Sequence, residues 1–166
     1  MFGAALGVVA GTVIQYILTL LLNQQTRKRQ ENALAKEFIY NRSLVDELLT
    51  EAQKFRNAVN GDVLNTYFGY FGFGRAIFAQ ANACTMNGVL YELFSADEIR
   101  HAQRLVSTLS VANENWVNGE IKRRRDTLIA TPAQFNKAET VQFVNFLENQ
   151  IHEIATWIDA LMKKVR

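Results

Sequence analysis

The stretch GAALGVVAGTVIQYILTL, residues 3–20, lies in the longest uncharged part of the chain and decides the fold. It belongs to a run from Met1 to Leu22 that contains no Asp, Glu, Lys, Arg or His. As an α-helix rising about 1.5 Å per residue, this run would be roughly 33 Å long, which matches a hydrocarbon core of about 30 Å. The sequence therefore predicts a transmembrane helix over residues 1–22.

The charges that flank this run predict its orientation. No Lys or Arg precedes it, whereas Arg27, Lys28 and Arg29 follow it directly. A cleaved signal peptide usually shows the opposite order, with basic residues before the apolar core. The positive-inside bias predicts a single-pass protein of the bacterial inner membrane with residues 23–166 in the cytoplasm. The three basic residues are then expected at the membrane surface, against anionic headgroups.

One face of the predicted membrane helix is small or polar. Glycine recurs every fourth residue at Gly3, Gly7 and Gly11. Small residues at this spacing let helix backbones approach closely in lipid, which predicts a homo-oligomer that packs through the three glycines. The alternative is that these glycines reflect only the frequency of glycine in membrane helices. Four polar residues on or near this face are predicted to line a pore in a ring of protomers: Thr12, Gln15, Thr19 and Asn23.

The composition of the remaining chain limits the classes of function. The 18 basic and 16 acidic residues give a net charge of +2, and all of them lie after residue 22. A nearly neutral domain argues against a protein whose main task is to coat nucleic acid. The single cysteine, Cys84, excludes an internal disulfide and predicts a packed thiol in a reducing compartment.

Beyond the apolar run, apolar spacings of three, four and seven residues predict an all-α, antiparallel helical bundle. Residues 12–60 contain no glycine or proline, so the first bundle helix could continue the membrane helix up to Asn60, where Asn60-Gly61-Asp62 is expected to stop it. Asn41 falls on the apolar face of this helix and is interpreted as a core asparagine that fixes the register, rather than as a catalytic residue.

The segment TYFGYFGFGR, residues 66–75, alternates aromatic residues with glycines. We expect a short helix, a break near residues 72–74, and a second helix over residues 76–93. The aromatic side chains could close the bundle core, form a protomer contact or touch the lipid interface, and the sequence leaves these alternatives open.

The carboxyl-terminal half predicts two long helices. Ser95 and Glu98 form a capping-box pattern that opens a helix expected to reach about residue 128. Thr131 and Pro132 then favour a short helical turn before a last helix that begins near Ala138. That last helix has the cleanest apolar stripe in the chain: Val144, Leu147, Ile151, Ile154, Ile158, Leu161 and Val165.

Motifs for catalysis, metals and cofactors are sparse. Glu98 and His101 have the E-x-x-H spacing of di-iron bundles, but Glu148 and His152 do not repeat it, so no metal, cofactor or catalytic residue is predicted. A basic cluster near a helix end is either a favourable partner of the helix dipole or a contact for RNA or a partner protein. It comprises Lys122, Arg123, Arg124 and Arg125.

The layout resembles the small membrane accessory proteins of type VI-B CRISPR systems. The resemblance is carried by the amino-terminal membrane helix, by EFIYNRSLVDELL at residues 37–49 and by SADEIRHAQRLVSTL at residues 95–109. It implies a HEPN-like bundle, assembly into a pore-forming ring, and a role beside an RNA-guided antiviral effector. The HEPN nuclease signature, Arg followed by His after four to six residues, is absent at His101 and His152, so the resemblance does not imply RNase activity. A passive membrane tether that recruits a cytoplasmic partner is the alternative function.

Overall fold

A computed structural model describes the backbone of residues 2–165 and the side chains of residues 15–165. The predicted all-α class is confirmed, since this part of the chain contains helices and no strand. The α-helices are α1 (Phe2–Asn60), α2 (Ala79–Met86), α3 (Val89–Leu93), α4 (Ala96–Thr108), α5 (Val111–Ala130) and α6 (Lys137–Met162). Three short 3₁₀ turns accompany them at Leu64–Thr66, Phe73–Arg75 and Pro132–Gln134.

Helix α1 is continuous from the apolar run into the bundle. It ends at Asn60, as the Asn-Gly-Asp sequence predicts, and Asp62 takes a left-handed conformation with φ of 57°. Its second half packs antiparallel to α6, because Arg42 lies beside Asp159 (3.1 Å) while Arg56 lies beside Glu148 (2.6 Å). Residues near the start of the bundle on α1 therefore face the end of α6.

The predicted stripe of α6 forms one side of the core. All seven of its residues are buried, together with Phe143 and Trp157. They pack against buried side chains of α1 that include Leu34, Phe38 and Phe55. Phe146 differs, since half of it is exposed beside Trp116. The apolar surface of α6 is therefore wider than its buried stripe, and part of it stays exposed within one chain.

The expectation of a single helix over residues 95–128 is wrong. The capping box of Ser95 and Glu98 forms as predicted, but α4 ends at Thr108. Ser110 then caps α5 by accepting a hydrogen bond from the Asn113 N–H (3.3 Å). The apolar spacing runs across this break, which conceals it in the sequence. Val106 and Trp116, which lie on this apolar spacing before and after the break, are 41% and 48% exposed.

The expected helix over residues 76–93 is also divided. Gly88 has φ of 77°, a conformation that favours glycine, and it separates α2 from α3. Before α2, residues 63–78 contain only two 3₁₀ turns instead of the expected short helix.

The short turn at Pro132–Gln134 and the start of α6 at Lys137 match the prediction, although Asn136 caps α6.

Two polar residues of α5 hold the aromatic-glycine segment. Asn118 accepts a hydrogen bond from the Phe71 N–H (2.9 Å) and donates one to the Phe71 carbonyl (3.0 Å). Glu114 accepts from the Gly74 N–H (2.8 Å). Phe71 and Phe73 are buried in the core, as is Tyr67. The segment thus closes the bundle core, and of its aromatic side chains only Phe68 and Tyr70 are exposed.

Replacement of Gly69 by alanine is expected to destabilise the bundle. A Cβ at Gly69 would collide with the Glu51 carboxylate and the Tyr67 hydroxyl, which are hydrogen-bonded to each other. Such overpacking costs about 1–3 kcal/mol. Gly119 in α5 has open space around it, so Gly119→Ala should instead stabilise by about 0.5–1 kcal/mol. Urea unfolding of both variants checks the prediction, and equal effects of the two substitutions would contradict it.

Candidate membrane and assembly surface

The first described part of α1 projects from the bundle. Every residue from Gln15 to Arg29 is exposed, and the first buried residue is Leu34. Large apolar side chains are exposed here over about two thirds of the helix circumference: Tyr16, Ile17, Leu18, Leu20, Leu21 and Leu22. Since successive residues turn by about 100°, no single neighbour on one side could cover them. This segment, residues 15–22, is called the projecting segment below.

The polar positions predicted to line a pore lie on the same helix. Gln15, Thr19 and Asn23 are four residues apart and exposed. The Thr19 hydroxyl donates a hydrogen bond to the Gln15 carbonyl (2.9 Å). This bond satisfies the hydroxyl within the helix, so Thr19 can face lipid or a neighbouring helix at low cost. Gly3, Gly7, Gly11 and Thr12 lie outside the residues whose side chains are described.

Among the residues that the structure describes, no helix has both the length and the apolar character needed to cross a membrane.

The basic residues after the apolar run connect the projecting segment to the bundle. Arg27 bonds to Glu31 on its own helix (2.9 Å) and to Glu92 of α3 (2.8 Å). These two carboxylates raise the pKa of Arg27, and the largest cause is the hydrogen bond that Arg27 donates to Glu31. Lys28 and Arg29 are exposed. The charges predicted for the membrane surface therefore lie where α1 leaves the bundle.

The second basic cluster is engaged within the chain. Arg124 is buried, with its guanidinium 4.2 Å from the centre of the Phe143 ring and 3.6 Å from Glu139. Arg125 lies over Phe68 at 4.7 Å and bonds to Asp126 at 3.2 Å. Both residues therefore hold α5 against its neighbours.

Only the other two residues of this cluster are exposed. Lys122 pairs with Asp126 (3.2 Å) and Arg123 with Glu120 (3.0 Å). The guanidinium groups of Arg123 and Arg124 lower the pKa of Glu120. None of these residues lies in the last turn of α5, so the helix-dipole interpretation has no support. A contact with RNA or a partner would have to use Lys122 and Arg123.

Glu98 and Glu148, the carboxylates near the two histidines in the sequence, are bonded to other groups. The Glu98 carboxylate accepts a hydrogen bond from the Ser95 N–H (2.8 Å), which lowers the pKa of Glu98. The His101 ring stacks on Trp157 with ring centres 5.9 Å apart. Glu148 is bound to Arg56. No group of three or more potential metal ligands occurs among the described residues. Cys84 is fully buried, and burial raises the pKa of its thiol.

Two buried polar residues of α1 position α2. Asn41, predicted as a core asparagine, is buried. Its side chain accepts a hydrogen bond from the Ile77 N–H (2.9 Å) and donates one to the Ile77 carbonyl (2.7 Å). Glu37 was missed by the sequence reasoning. It is also buried, and its carboxylate accepts from the N–H groups of Gln80 (2.7 Å) and Ala81 (3.0 Å) at the start of α2. Its place on the apolar face, three residues after Leu34, was the only available signal.

The stability of the bundle should depend on pH through Glu37. Burial raises its pKa above the ordinary value of 4.5, although the α2 N–H groups oppose the shift. The folded state then binds more protons, so this contribution is present below pH 4.5 and is lost as the pH rises through the raised pKa. Glu37→Gln should therefore gain stability relative to wild type as the pH rises. Urea unfolding between pH 4 and about pH 8 measures this difference. The exposed Glu153→Gln serves as the control, and parallel curves for Glu37→Gln and wild type would contradict the prediction.

Comparison with known proteins found no matching family model, no matching curated protein and no matching solved structure.

Proposed function

We propose that this protein is a membrane-anchored homo-oligomeric effector that perturbs or perforates the bacterial inner membrane. The observation that carries the proposal is the projecting segment, whose large apolar side chains are exposed over most of the helix surface, apart from the arc of Gln15, Thr19 and Asn23. Complete burial of each such side chain is worth about 1.5–3 kcal/mol. Lipid surrounds a helix on every side, so an anchor explains this exposure. In the sequence the apolar run continues to Met1 without a charge.

The amino-terminal glycines are proposed to pack the protomers. Gly3, Gly7 and Gly11 recur in register with Gln15, which could form hydrogen bonds between helices in lipid. Gln15, Thr19 and Asn23 would then face the centre of a ring, together with Thr12. A HEPN-like character of the bundle and a link to an RNA-guided antiviral effector rest on the resemblance of residues 37–49 and 95–109.

Replacement of Gly7 and Gly11 by leucine tests the assembly. The double variant should insert into membranes as wild type does, but its oligomers in detergent should dissociate, because leucine keeps the helix backbones apart. Ala5→Leu adds a large side chain to the opposite face of the helix and should leave the oligomer intact. Size-exclusion chromatography with light scattering measures the protomer number. An unchanged oligomer in the double glycine variant would contradict the proposed contact.

Release of a dye from vesicles separates an effector from an inert anchor. Vesicles that contain the wild-type protein should leak, and the Gly7→Leu/Gly11→Leu variant should leak less. Intact vesicles with wild-type oligomers present would exclude a pore.

The second candidate is a tether that recruits a cytoplasmic protein. Phe68 and Tyr70 favour it, since 77% and 61% of their surfaces are exposed on a segment whose other aromatic residues are buried. A tether predicts partner binding that is lost in Phe68→Ala/Tyr70→Ala, without dye release. A membrane-bound RNase would instead show RNA cleavage that depends on His101 or His152.

A further inference from the structure

Among the described hydrogen bonds and ion pairs between α1 and the rest of the bundle, the one nearest to the projecting segment joins Arg27 to Glu92 of α3, just after the α2–α3 connection. Ala81, near the start of α2, bonds to Glu37. Cys84 lies close enough to Glu31 for its charge to raise the pKa of the thiol. Glu92 of α3 then reaches Arg27. From Ala81 to Glu92 the chain thus runs beside α1, from the level of Glu37 towards that of Arg27. It then turns back, since Phe94 packs on Phe38 with ring centres 6.4 Å apart.

The turn at this lowest point exposes apolar side chains. Met86 is 88% exposed, the largest exposure among the large hydrophobic residues of the described chain, and Tyr91 is 58% exposed. Gly88, with φ of 77°, makes the sharp turn between them. The only charged residue from Met86 to Glu92 is Glu92, and Arg27 neutralises it. This turn, residues 86–91, is called the α2–α3 turn.

The height of the α2–α3 turn relative to the apolar run follows from helix geometry. Arg27 comes five residues after Leu22, which is about 8 Å along the helix. The headgroup region on each side of a bilayer is about 5–8 Å thick. If residues 1–22 span the hydrocarbon core, the ion pair with Arg27 therefore brings the Glu92 carboxylate, next to the turn, to the outer edge of the headgroup region.

We infer that the α2–α3 turn is a second membrane contact, which inserts Met86 and Tyr91 into the headgroup region of an anionic lipid surface. This inference rests on the proposed membrane anchor. Tyrosine is enriched at this depth because its ring is apolar and its hydroxyl is polar. Lys28 and Arg29, which follow Arg27 on α1, are exposed and supply the complementary charge for anionic lipids. The contact fixes the bundle against the membrane at two points instead of one.

Fluorescence quenching by lipids tests the contact. In a Cys84→Ala background, Met86→Cys is labelled with an environment-sensitive dye, and the full-length protein is reconstituted into vesicles of phosphatidylcholine and phosphatidylglycerol. A spin-labelled lipid that carries its nitroxide just below the headgroup should remove most of the fluorescence. Phe68→Cys is the matched control, because Phe68 is also largely exposed, whereas its neighbour Tyr67 bonds to Glu51, far beyond Arg27 along α1. Its dye should keep its fluorescence.

A third label separates this inference from the anchor on which it rests. Ile17→Cys places the dye in the projecting segment, where the same lipid should quench it. Quenching at residue 17 without quenching at residue 86 overturns the second contact and leaves the anchor intact. Fluorescence preserved at residue 17 overturns the anchor and the contact together. Circular dichroism of each labelled variant confirms that the helices are retained, and a label at Asn87→Cys repeats the measurement within the turn.

Discussion

The proposed anchor predicts that the double variant Ile14→Arg/Ile17→Arg leaves the membrane fraction. Each arginine near the centre of a membrane helix costs about 2.5–3.5 kcal/mol. Two of them would remove most of the free energy with which the apolar run enters lipid. Wild-type protein should stay with the membrane pellet after alkaline carbonate extraction, whereas the double variant should appear in the supernatant.

The same helix provides the control. Ile39 is half exposed on α1, and Gln53 is exposed on the same helix beyond the apolar run. Ile39→Arg/Gln53→Arg adds the same charges to α1 and should remain in the pellet. Retention of Ile14→Arg/Ile17→Arg in the membrane fraction would show that the apolar run does not anchor the chain.

The variant Phe55→Ala is expected to cause a large loss of bundle stability. Phe55 is fully buried and packs on Tyr67 at 5.1 Å and on Phe143 at 6.3 Å, so it joins α1, the aromatic-glycine segment and α6. Truncation of a buried phenylalanine costs about 3–5 kcal/mol. At about 2–4 °C per kcal/mol for a domain of this size, Tm should fall by about 6–20 °C.

Phe68→Ala is the matched control for this prediction. Phe68 is 77% exposed, and its main contact is the guanidinium of Arg125, worth about 0.5–1 kcal/mol at an exposed site. Its Tm should therefore change by only a few degrees. Thermal unfolding followed by circular dichroism compares the two variants. Similar losses in both would mean that the aromatic-glycine segment does not close the core as described.

Helices with regular apolar spacing could be predicted from the sequence. The α6 stripe, the Ser95 capping box and the end of α1 at Asn60 depend on residues within a few positions of each other, so local spacing is enough to predict them. The break at Ser110 could not be predicted in this way, because the apolar period continues through it. The division of α2 from α3 at Gly88 could not be predicted either, because an isolated glycine in a sequence does not reveal its φ.

The candidate surface was predicted unevenly. The apolar run and the charges after it are local features, so the projecting segment and Arg27 were named from the sequence. Whether residues 122–125 are buried or exposed depends on carboxylates and aromatic rings elsewhere in the chain. The packing of Arg124 on Phe143 is therefore evident only in the fold. Glu37 was missed because its partners, the first N–H groups of α2, are more than 40 residues away.

The sequence by itself determined that the chain is helical, where its longest helix ends and which face of the last helix is buried. These properties follow from the periodicity of apolar side chains and from local capping, which act within a few residues. Only the tertiary structure decided that the aromatic-glycine segment closes the core, that Arg124 and Arg125 are engaged inside the chain and that the α2–α3 turn lies beside Arg27. Each of these depends on contacts between residues distant in the chain, which pattern and propensity do not encode.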